Sequence, residues 1–477
     1  MEDYPSTPAG GYERSWELFA VLVAELDGSE GGADHARIEQ FLAASGRELM
    51  RQLFQDHLDR RAAAERAVAR RSVAGADGIE RRRVESGRTR ALVSVFGKVT
   101  VERLVYRAPG AVSLRPAEAA LNLPPGLHSA GLAHLVCHRV ASGSFDAAID
   151  AAADLAGVRI GKAGVERIVA AAVTDWEGFY RTQARPPAAR AGQAVVITAD
   201  GKGIVMRPEY RRGHGGRKKM AELACVYVTD PVRRDPGQVL GPEAMAGPVA
   251  EAKRLFASVT DTVPAVIAAA FEEAEARDPA RACRRVVLVD GNRHQIDCIE
   301  TEAAERGLAV HIVLDVIHVV EYVWEAARVF HADDDQAAEA WVAERMEAIL
   351  GGRARTVATG IRRRATRNGY TGTERKTLDR VAGYLANNAV YMDYPHALAN
   401  GWPIATGVIE GACRHLVKDR FDITGARWSP HGAEAVLKLR ALIINGDFDT
   451  YWDYHQQREL ERNHLAHYQQ KDFIQAA

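Results

Sequence analysis

Several features are missing from this chain, and each absence closes off a class. Its five cysteines (Cys137, Cys225, Cys283, Cys298, Cys413) stand singly with no C-x-x-C pair, which argues against a disulfide framework or a zinc ribbon and predicts reduced thiols. No apolar run approaches the roughly 18 residues a membrane crossing needs. The opening residues Met1, Glu2, Asp3, Tyr4 and Pro5 lack the basic-then-apolar order of a secretory signal, so the expectation is a cytoplasmic, nucleoid-associated protein. Glycine, proline and charge are all near average, which removes collagen-like, coiled-coil and wholly disordered readings. No internal repeat or low-complexity tract is present.

What remains is ordinary globular composition, 47% hydrophobic and 26% charged over 477 residues. At about 100 to 200 residues per domain, two to four domains are expected. The formal net charge of −1 conceals an asymmetry, because residues 51–107 carry 14 Lys and Arg against 7 Asp and Glu. Local basic density attracts phosphate, so a nucleic-acid surface is one reading there. A solvated, arginine-rich helix face is the other.

Residues 34–71 place Ile38, Phe41, Leu42, Leu49, Leu53 and Leu58 at helical spacing and predict a long amphipathic helix. Residues 91–106 alternate around Phe96-Gly97-Lys98, which predicts a β-hairpin. A helical block over 132–180 follows, ending at Pro186-Pro187. Inside it, helices over 146–156 and 162–172 flank the tight connection Gly157 to Gly161, a spacing that suits a helix-turn-helix. Ile149, Ala152 and Ala156 would pack on Val165 and Ile168, leaving Lys162, Glu166 and Arg167 to face a groove. Two core helices joined by a glycine turn would give the same pattern.

From Gly192 the character changes. Apolar strands are predicted at 194–199 and 204–206, hairpin-like around Asp200-Gly201-Lys202-Gly203, with a third at 223–229 after a basic connection over 211–219. Residues 251–275 read as mainly helical, then come a strand at 286–289, a helix over 295–306 and a strand at 309–314. This β-β-β-α-β-α-β order is that of a ribonuclease H-like sheet, though other α/β folds accommodate five strands.

Asp200 and Asp290 fall at the carboxyl ends of neighbouring predicted strands, where open α/β sheets bind ligands. Two close carboxylates repel unless a cation lies between them, and Mg²⁺ suits a few carboxylate oxygens plus water and phosphate. Either Asp-Gly could also be a simple turn. Glu410, in the first turn of a helix that Thr406 could cap and that runs toward Phe421, is the third candidate acid. The helix dipole alone would also favour an acid there.

The segments ITADGKG, VVLVDGNRH, IVLDVIHVVEYVW and GWPIATGVIEGACRHLVKDRFDITGARWS, with SVFGKVTVERLVYR upstream, resemble those of bacterial insertion-sequence DDE transposases of the ISKra type, distant relatives of Mutator-like transposases. The resemblance spans about 83–454 and rests on several motifs in the expected order. It implies a catalytic Asp200, Asp290 and Glu410 holding two Mg²⁺ ions, for which Mn²⁺ can substitute. It also implies a D-x-x-H element, Asp315 and His318, near the active site. For His318 the residues equally allow a buried imidazole bonded to Asp315 or to backbone.

The implied organisation is multidomain, α+β and α/β. It comprises a helical region over 1–82, a hairpin and helix-turn-helix DNA-binding region over 83–190, and a ribonuclease H-like core over 191–330. An all-helical insertion over 331–400 then precedes the rest of the core with the Glu410 helix over 401–460, and a tail over 461–477. Its basic run Arg362, Arg363 and Arg364, and the cations Arg414, Lys418, Arg420 and Arg427 after Glu410, would contact DNA phosphates along with Lys162 and Arg167. Trp428 reads as core rather than as a base-stacking platform.

The function expected is therefore a transposase that cuts transposon-end DNA and joins it to target DNA as a homo-oligomer, with no membrane partner. A structure-specific nuclease on the same core and a non-enzymatic DNA-binding regulator are the alternatives.

Overall fold

In the computed structural model, which describes residues 10–28, 34–182, 186–211, 217–240, 244–332, 334–423 and 425–470, the chain is a mixed α/β protein, mostly helical, with a five-stranded mixed sheet and separate hairpins. The expectations that fall on residues 1–5, 212–216 of the basic connection, Thr424 and 471–477 of the tail lie outside the described residues. No described helix is long and apolar enough to cross a membrane. The chain forms two compact units, Met1–Phe179 with Asp447–Ala477, and Tyr180–Gly446.

In the first unit, Asp34 caps the long helix His35–Ala67 by accepting from the Arg37 backbone N–H. Two short strands, β1 (Val73–Ala74) and β2 (Glu80–Arg81), precede a long hairpin of β3 (Arg83–Ser94) and β4 (Gly97–Arg107). The hairpin holds a register from Arg83 opposite Arg107 to Ser94 opposite Gly97. Leu58 of the helix packs with Leu92, Val99, Val101 and Leu123, so the apolar alternation read around Gly97 is the face that the helix covers. Much of the positive charge in 51–107 is tied up internally: Arg66 pairs with Glu102, Arg81 with Asp77, Arg88 with Glu85, and Arg90 and Arg103 with Glu118.

Helices Ala130–Ser142, Phe145–Ala156 and Lys162–Ala172 follow. Ser144 caps the second, and Gly157, at a φ of 64° that only glycine adopts without strain, ends it. Ala148, Ala152 and Ala156 are buried together with Val165, Ile168 and Val169. The C-terminal helix Phe448–Asn463 belongs to this unit. It buries Tyr451, whose hydroxyl donates to the Ala172 carbonyl at 2.6 Å, and its Arg462 makes two bonds to Asp175.

The second unit contains the sheet, in the order β7-β6-β5-β8-β9. Strand β5 (Ala194–Val205) pairs antiparallel with β6 (Lys218–Thr229) and parallel with β8 (Arg284–Val289). Strand β7 (Glu251–Ser258) extends β6 antiparallel, and β9 (His311–Leu314) extends β8 in parallel. Helices Val263–Arg277 and Arg293–Glu305 make the crossovers β7 to β8 and β8 to β9.

Two expectations are corrected here. Residues 194–206 are not a hairpin but one strand that runs through Asp200-Gly201, because β6 pairs with it along its whole length, from Ala194 opposite Thr229 to Val205 opposite Lys218. Nor is 251–275 one helical stretch. Its first eight residues form β7, satisfied by backbone pairing with β6, and helix begins only at Val263, with Pro264 in its first turn. The β-β-β-α-β-α-β order survives, with β7 in place of the inner hairpin. Among the described residues strand β7 has no strand neighbour on its outer side; the Asn445 amide both donates to and accepts from the Leu255 backbone.

The region between β9 and Glu410 is helical, as expected: Val316–Phe330, Asp335–Leu350, Ala354–Arg367, Gly372–Asn387 and Tyr394–Ala399.

Candidate functional site

Strand register sets the site. Thr198 of β5 pairs with Leu288 of β8 in the last rung between these strands, two residues short of Asp200 and of Asp290. Val289 pairs with Leu314 of β9, so Asp315 follows beside Asp290. Asp200 is in the middle of its strand rather than at the end as predicted, and β8 ends at Val289, just before Asp290. Gly291, at a φ of 97°, turns the chain after Asp290; a Cβ there would also stand 3.1 Å from the Tyr384 ring. The Tyr384 hydroxyl donates to the Asp290 carbonyl at 2.9 Å and its ring stacks on Tyr322, fixing the turn from the helical insertion.

The helix Gly407–Ala412 brings Glu410 to the same place. It continues as a π-helical turn, Cys413–Lys418, a distortion often found at functional sites. One turn after Glu410, the Cys413 thiol donates to Asp200 Oδ2 at 3.0 Å, and the Gly201 N–H donates to Asp200 Oδ1 at 2.7 Å. Thr406 does not cap this helix with its side chain as expected. Instead its hydroxyl donates to Asp315 Oδ2 at 2.5 Å and its N–H to Asp315 Oδ1 at 3.1 Å, two bonds that supply donors to a fully buried carboxylate.

Desolvation pushes the Glu410 carboxyl above its ordinary range, with the negative charge of Asp315 adding to this and His318 opposing it. Glu222, opposite Gly201 on β6, is raised as well, chiefly by burial and further by Asp200.

Two trios have ligand atoms within 4.8 Å of one another among the described residues: Asp315, His318 and Glu410, and Asp175, His455 and Glu459. The second is already filled, since Asp175 takes both the Arg462 guanidinium and His455 Nδ1 at 2.7 Å. In the first, Asp315 spends its oxygens on the Ile317 and Thr406 N–H groups and the Thr406 hydroxyl, which makes it an anchor for the Glu410 helix rather than a ligand. His318 is half-buried and bonds Glu321 Oε2 through Nδ1 at 3.1 Å, rather than Asp315 or backbone, the partners its sequence position allowed. By contrast, among the described residues neither Asp290 Oδ2 nor the Glu410 carboxylate has a hydrogen-bond donor. Asp200, Asp290 and Glu410 are not among the trios whose ligand atoms lie within 4.8 Å of one another in the described residues, although the next turn after Glu410 touches Asp200.

Of the predicted cations, Arg414, Lys418 and Arg427 are exposed, but Arg420 is not. It is 2% exposed, its guanidinium lies 4.7 Å above the Trp428 ring, and burial pushes its pKa down to about 10, so it braces the core and is withdrawn from the phosphate-contacting set. Trp428 is buried, as expected. In the insertion, Arg362 and Arg363 are exposed, whereas Arg364 lies over the Phe330 ring at 4.3 Å and against His331, and is likewise withdrawn as a surface contact. Arg362 Nη2 comes within 3.9 Å of where a Cβ on Gly383 would stand, next to Tyr384. Lys162 and Arg167 are exposed on the first unit, Lys162 paired with Asp146 at 3.2 Å.

The sequence reading missed Glu222, Tyr384 and the bond from Cys413. Only Glu222 left a trace, as an acid at the start of the third predicted strand. The chain matches no protein-family model, and no curated protein matches its sequence.

Proposed function

We propose that the chain is a DNA transposase with a ribonuclease H-like catalytic core, in which Asp200, Asp290 and Glu410 are the catalytic acids. The observation that carries this reading is the parallel register of β5 and β8, which ends two residues short of Asp200 on one strand and of Asp290 on the other, with Glu410 on a later helix whose next turn touches Asp200. The order β7-β6-β5-β8-β9, antiparallel on one side of β5 and parallel on the other, is the arrangement such a core requires and supports the assignment. The substrate is double-stranded DNA. Hydrolysis of a phosphodiester at an element end frees a 3′-hydroxyl, which then attacks a phosphodiester of target DNA, its oxygen bonding to phosphorus as the P–O3′ bond of the target strand breaks and that 3′-oxygen leaves as a hydroxyl, with no covalent protein-DNA bond. Two copies would hold a pair of ends.

The donor set fits Mg²⁺, and Mn²⁺ in its place, because all three side chains offer hard oxygens. When bound, such ions stabilise charge on the phosphate and render water or the 3′-hydroxyl more nucleophilic. The chain's own residues supply the rest. The Gly201 N–H and the Cys413 thiol fix the Asp200 carboxylate, Asp315 and Thr406 fix the start of the Glu410 helix, and Arg414, Lys418 and Arg427 offer exposed charge for the strand's phosphates. Lys162 and Arg167 give the helix-turn-helix a cationic face for sequence recognition.

The test uses the purified chain and DNA carrying the sequences that flank its gene. The wild type should cleave at the element boundary and join the ends to a target plasmid only with Mg²⁺ or Mn²⁺, and Asp200→Ala, Asp290→Ala and Glu410→Gln should each abolish both steps while retaining binding. Cutting without joining would favour a nuclease. Binding without cutting would favour a regulator, and wild-type cleavage by any one variant removes that residue from the triad.

A further inference from the structure

The helical insertion holds a cavity of about 770 Å³ with an unusual lining: Arg345, Arg353, Arg363, Arg364 and Arg367, with Trp341 in its wall. A pocket of that size suits a nucleotide-sized ligand. Two of the arginines are occupied, Arg345 by Glu344 and by the Trp341 ring, Arg364 by Phe330 and His331. Arg353, Arg363 and Arg367 are exposed and make no ion pair among the described residues. Glu344 and Glu347 are the acids in the lining, so positive charge prevails.

Trp341 supplies a second, independent sign. It is 7% exposed, and its indole N–H has no acceptor among the described residues. Leaving a buried donor unmade is costly, and native structures seldom tolerate it without a ligand or water to answer it. Its ring is already in contact with the Arg345 guanidinium, at 4.9 Å, and the Phe330 ring, at 5.5 Å, so what it offers a ligand is the N–H edge, not a stacking face. A partner for that edge must bring an acceptor oxygen, and a partner for several arginines must bring negative charge spread over enough oxygens for more than one planar, forked guanidinium to bond. A phosphate does both.

We propose that this cavity binds a phosphate ester, with Arg353, Arg363 and Arg367 holding the phosphate oxygens and one oxygen of the ligand accepting from Trp341 Nε1. The ester is either a free nucleotide or a phosphate of a DNA strand. The inference stands apart from the transposase reading, because its readout is binding and none of the three acids takes part.

The full chain is titrated calorimetrically with dAMP and with deoxyadenosine, and by fluorescence anisotropy with a 5′-phosphorylated single-stranded oligonucleotide. Binding of dAMP but not of deoxyadenosine identifies a free nucleotide as ligand; binding of the oligonucleotide alone identifies the strand. In either case the double variant Arg353→Ala/Arg367→Ala should weaken binding at least tenfold and Trp341→Phe several-fold, while Lys376→Ala, an exposed cation outside the lining, leaves it unchanged. Both arginines are exposed, so the double variant is expected to keep the fold even where the buried Trp341→Phe does not. Absence of binding by both phosphate probes, or binding that the double variant does not weaken, overturns the proposal.

Discussion

The Cys413 thiol donates to Oδ2 of Asp200 at 3.0 Å across 213 positions of sequence. A cysteine so placed is buried and faces a carboxylate, and both facts resist loss of its proton, burial more strongly than the charge of Asp200. The thiolate is the reactive form, so Cys413 should be slow to alkylate. Cys298 is the one cysteine of the five that is not buried. With iodoacetamide at pH 8, mass spectrometry should find Cys298 modified first and Cys413 at least tenfold more slowly, with Asp200→Asn accelerating Cys413 several-fold. Equal rates at Cys413 and Cys298 in the native protein would contradict the hydrogen bond.

A second prediction concerns Thr406, whose hydroxyl and N–H both go to the buried Asp315. Thr406→Val keeps the shape and removes one donor, leaving a buried carboxylate oxygen short of a partner at a cost of about 1–3 kcal/mol. Melting should fall by roughly 3 to 8 °C, and DNA cleavage should fall with it because the Glu410 helix starts at that bond. Thr406→Ser should restore both. Wild-type melting in the valine variant would show that Asp315 is held by its backbone donors alone.

How much of this was legible in the chain differs from element to element. The boundaries of the helices Phe145–Ala156 and Lys162–Ala172 could be read because Ser144, Gly157 and Gly161 mark the helix ends locally, and the hairpin around Gly97 because alternation on both strands faces one helix. Asp200 and Asp290 could be singled out as candidates because an apolar run followed by Asp-Gly is a local pattern, but that β5 runs on past Asp200 was set by its pairing with β6. Strand β7 could not, since Glu251, Ala252, Lys253 and Arg254 carry no strand signature and take that form only because β6 offers an unpaired edge. The fate of Arg420 was equally hidden. An arginine reads as surface until Trp428 comes back to pair with Met206 and places its ring beneath the guanidinium. Asp315 looked like part of a D-x-x-H element, but its partner Thr406 lies 91 positions away, and only the fold reveals an anchor.

Glu410 yields a pH and metal prediction. Its carboxyl is raised above the ordinary 4.5 by desolvation first and then by Asp315. The folded chain therefore holds this proton at pH values where the unfolded chain has released it, so the contribution of Glu410 to stability declines as pH rises from below 4.5 through its folded value. Glu410→Gln carries no such proton. Its melting temperature should equal that of the wild type near pH 4 and exceed it slightly at pH 7, slightly because Glu410 is exposed and screened. Mn²⁺ should reverse the order. At 100 times its dissociation constant it should stabilise the wild type by ~2.7 kcal/mol, an effect that EDTA removes and that Glu410→Gln and Asp200→Asn each diminish. An identical Mn²⁺ shift in wild type and both variants would place the cation elsewhere.

The last prediction separates two kinds of arginine that look alike in sequence. Arg420 is buried over Trp428, while Arg414, Lys418 and Arg427 are exposed around it. Removing Arg420 deletes packing and a buried cation that sits on an aromatic face, a loss of roughly 1–3 kcal/mol, but leaves every phosphate with its cation. Arg420→Ala should therefore lower the melting temperature and leave the salt dependence of DNA affinity unchanged. The triple variant Arg414→Ala/Lys418→Ala/Arg427→Ala should do the opposite: melt normally, bind DNA more weakly, and flatten the plot of log affinity against log salt by about 0.9 for each duplex phosphate that is no longer neutralised. Thermal melting and a salt series on the same preparations distinguish the two. If Arg420→Ala flattened the salt slope while the triple variant kept it, the phosphate-facing side of this helix would be the one assigned here to the core.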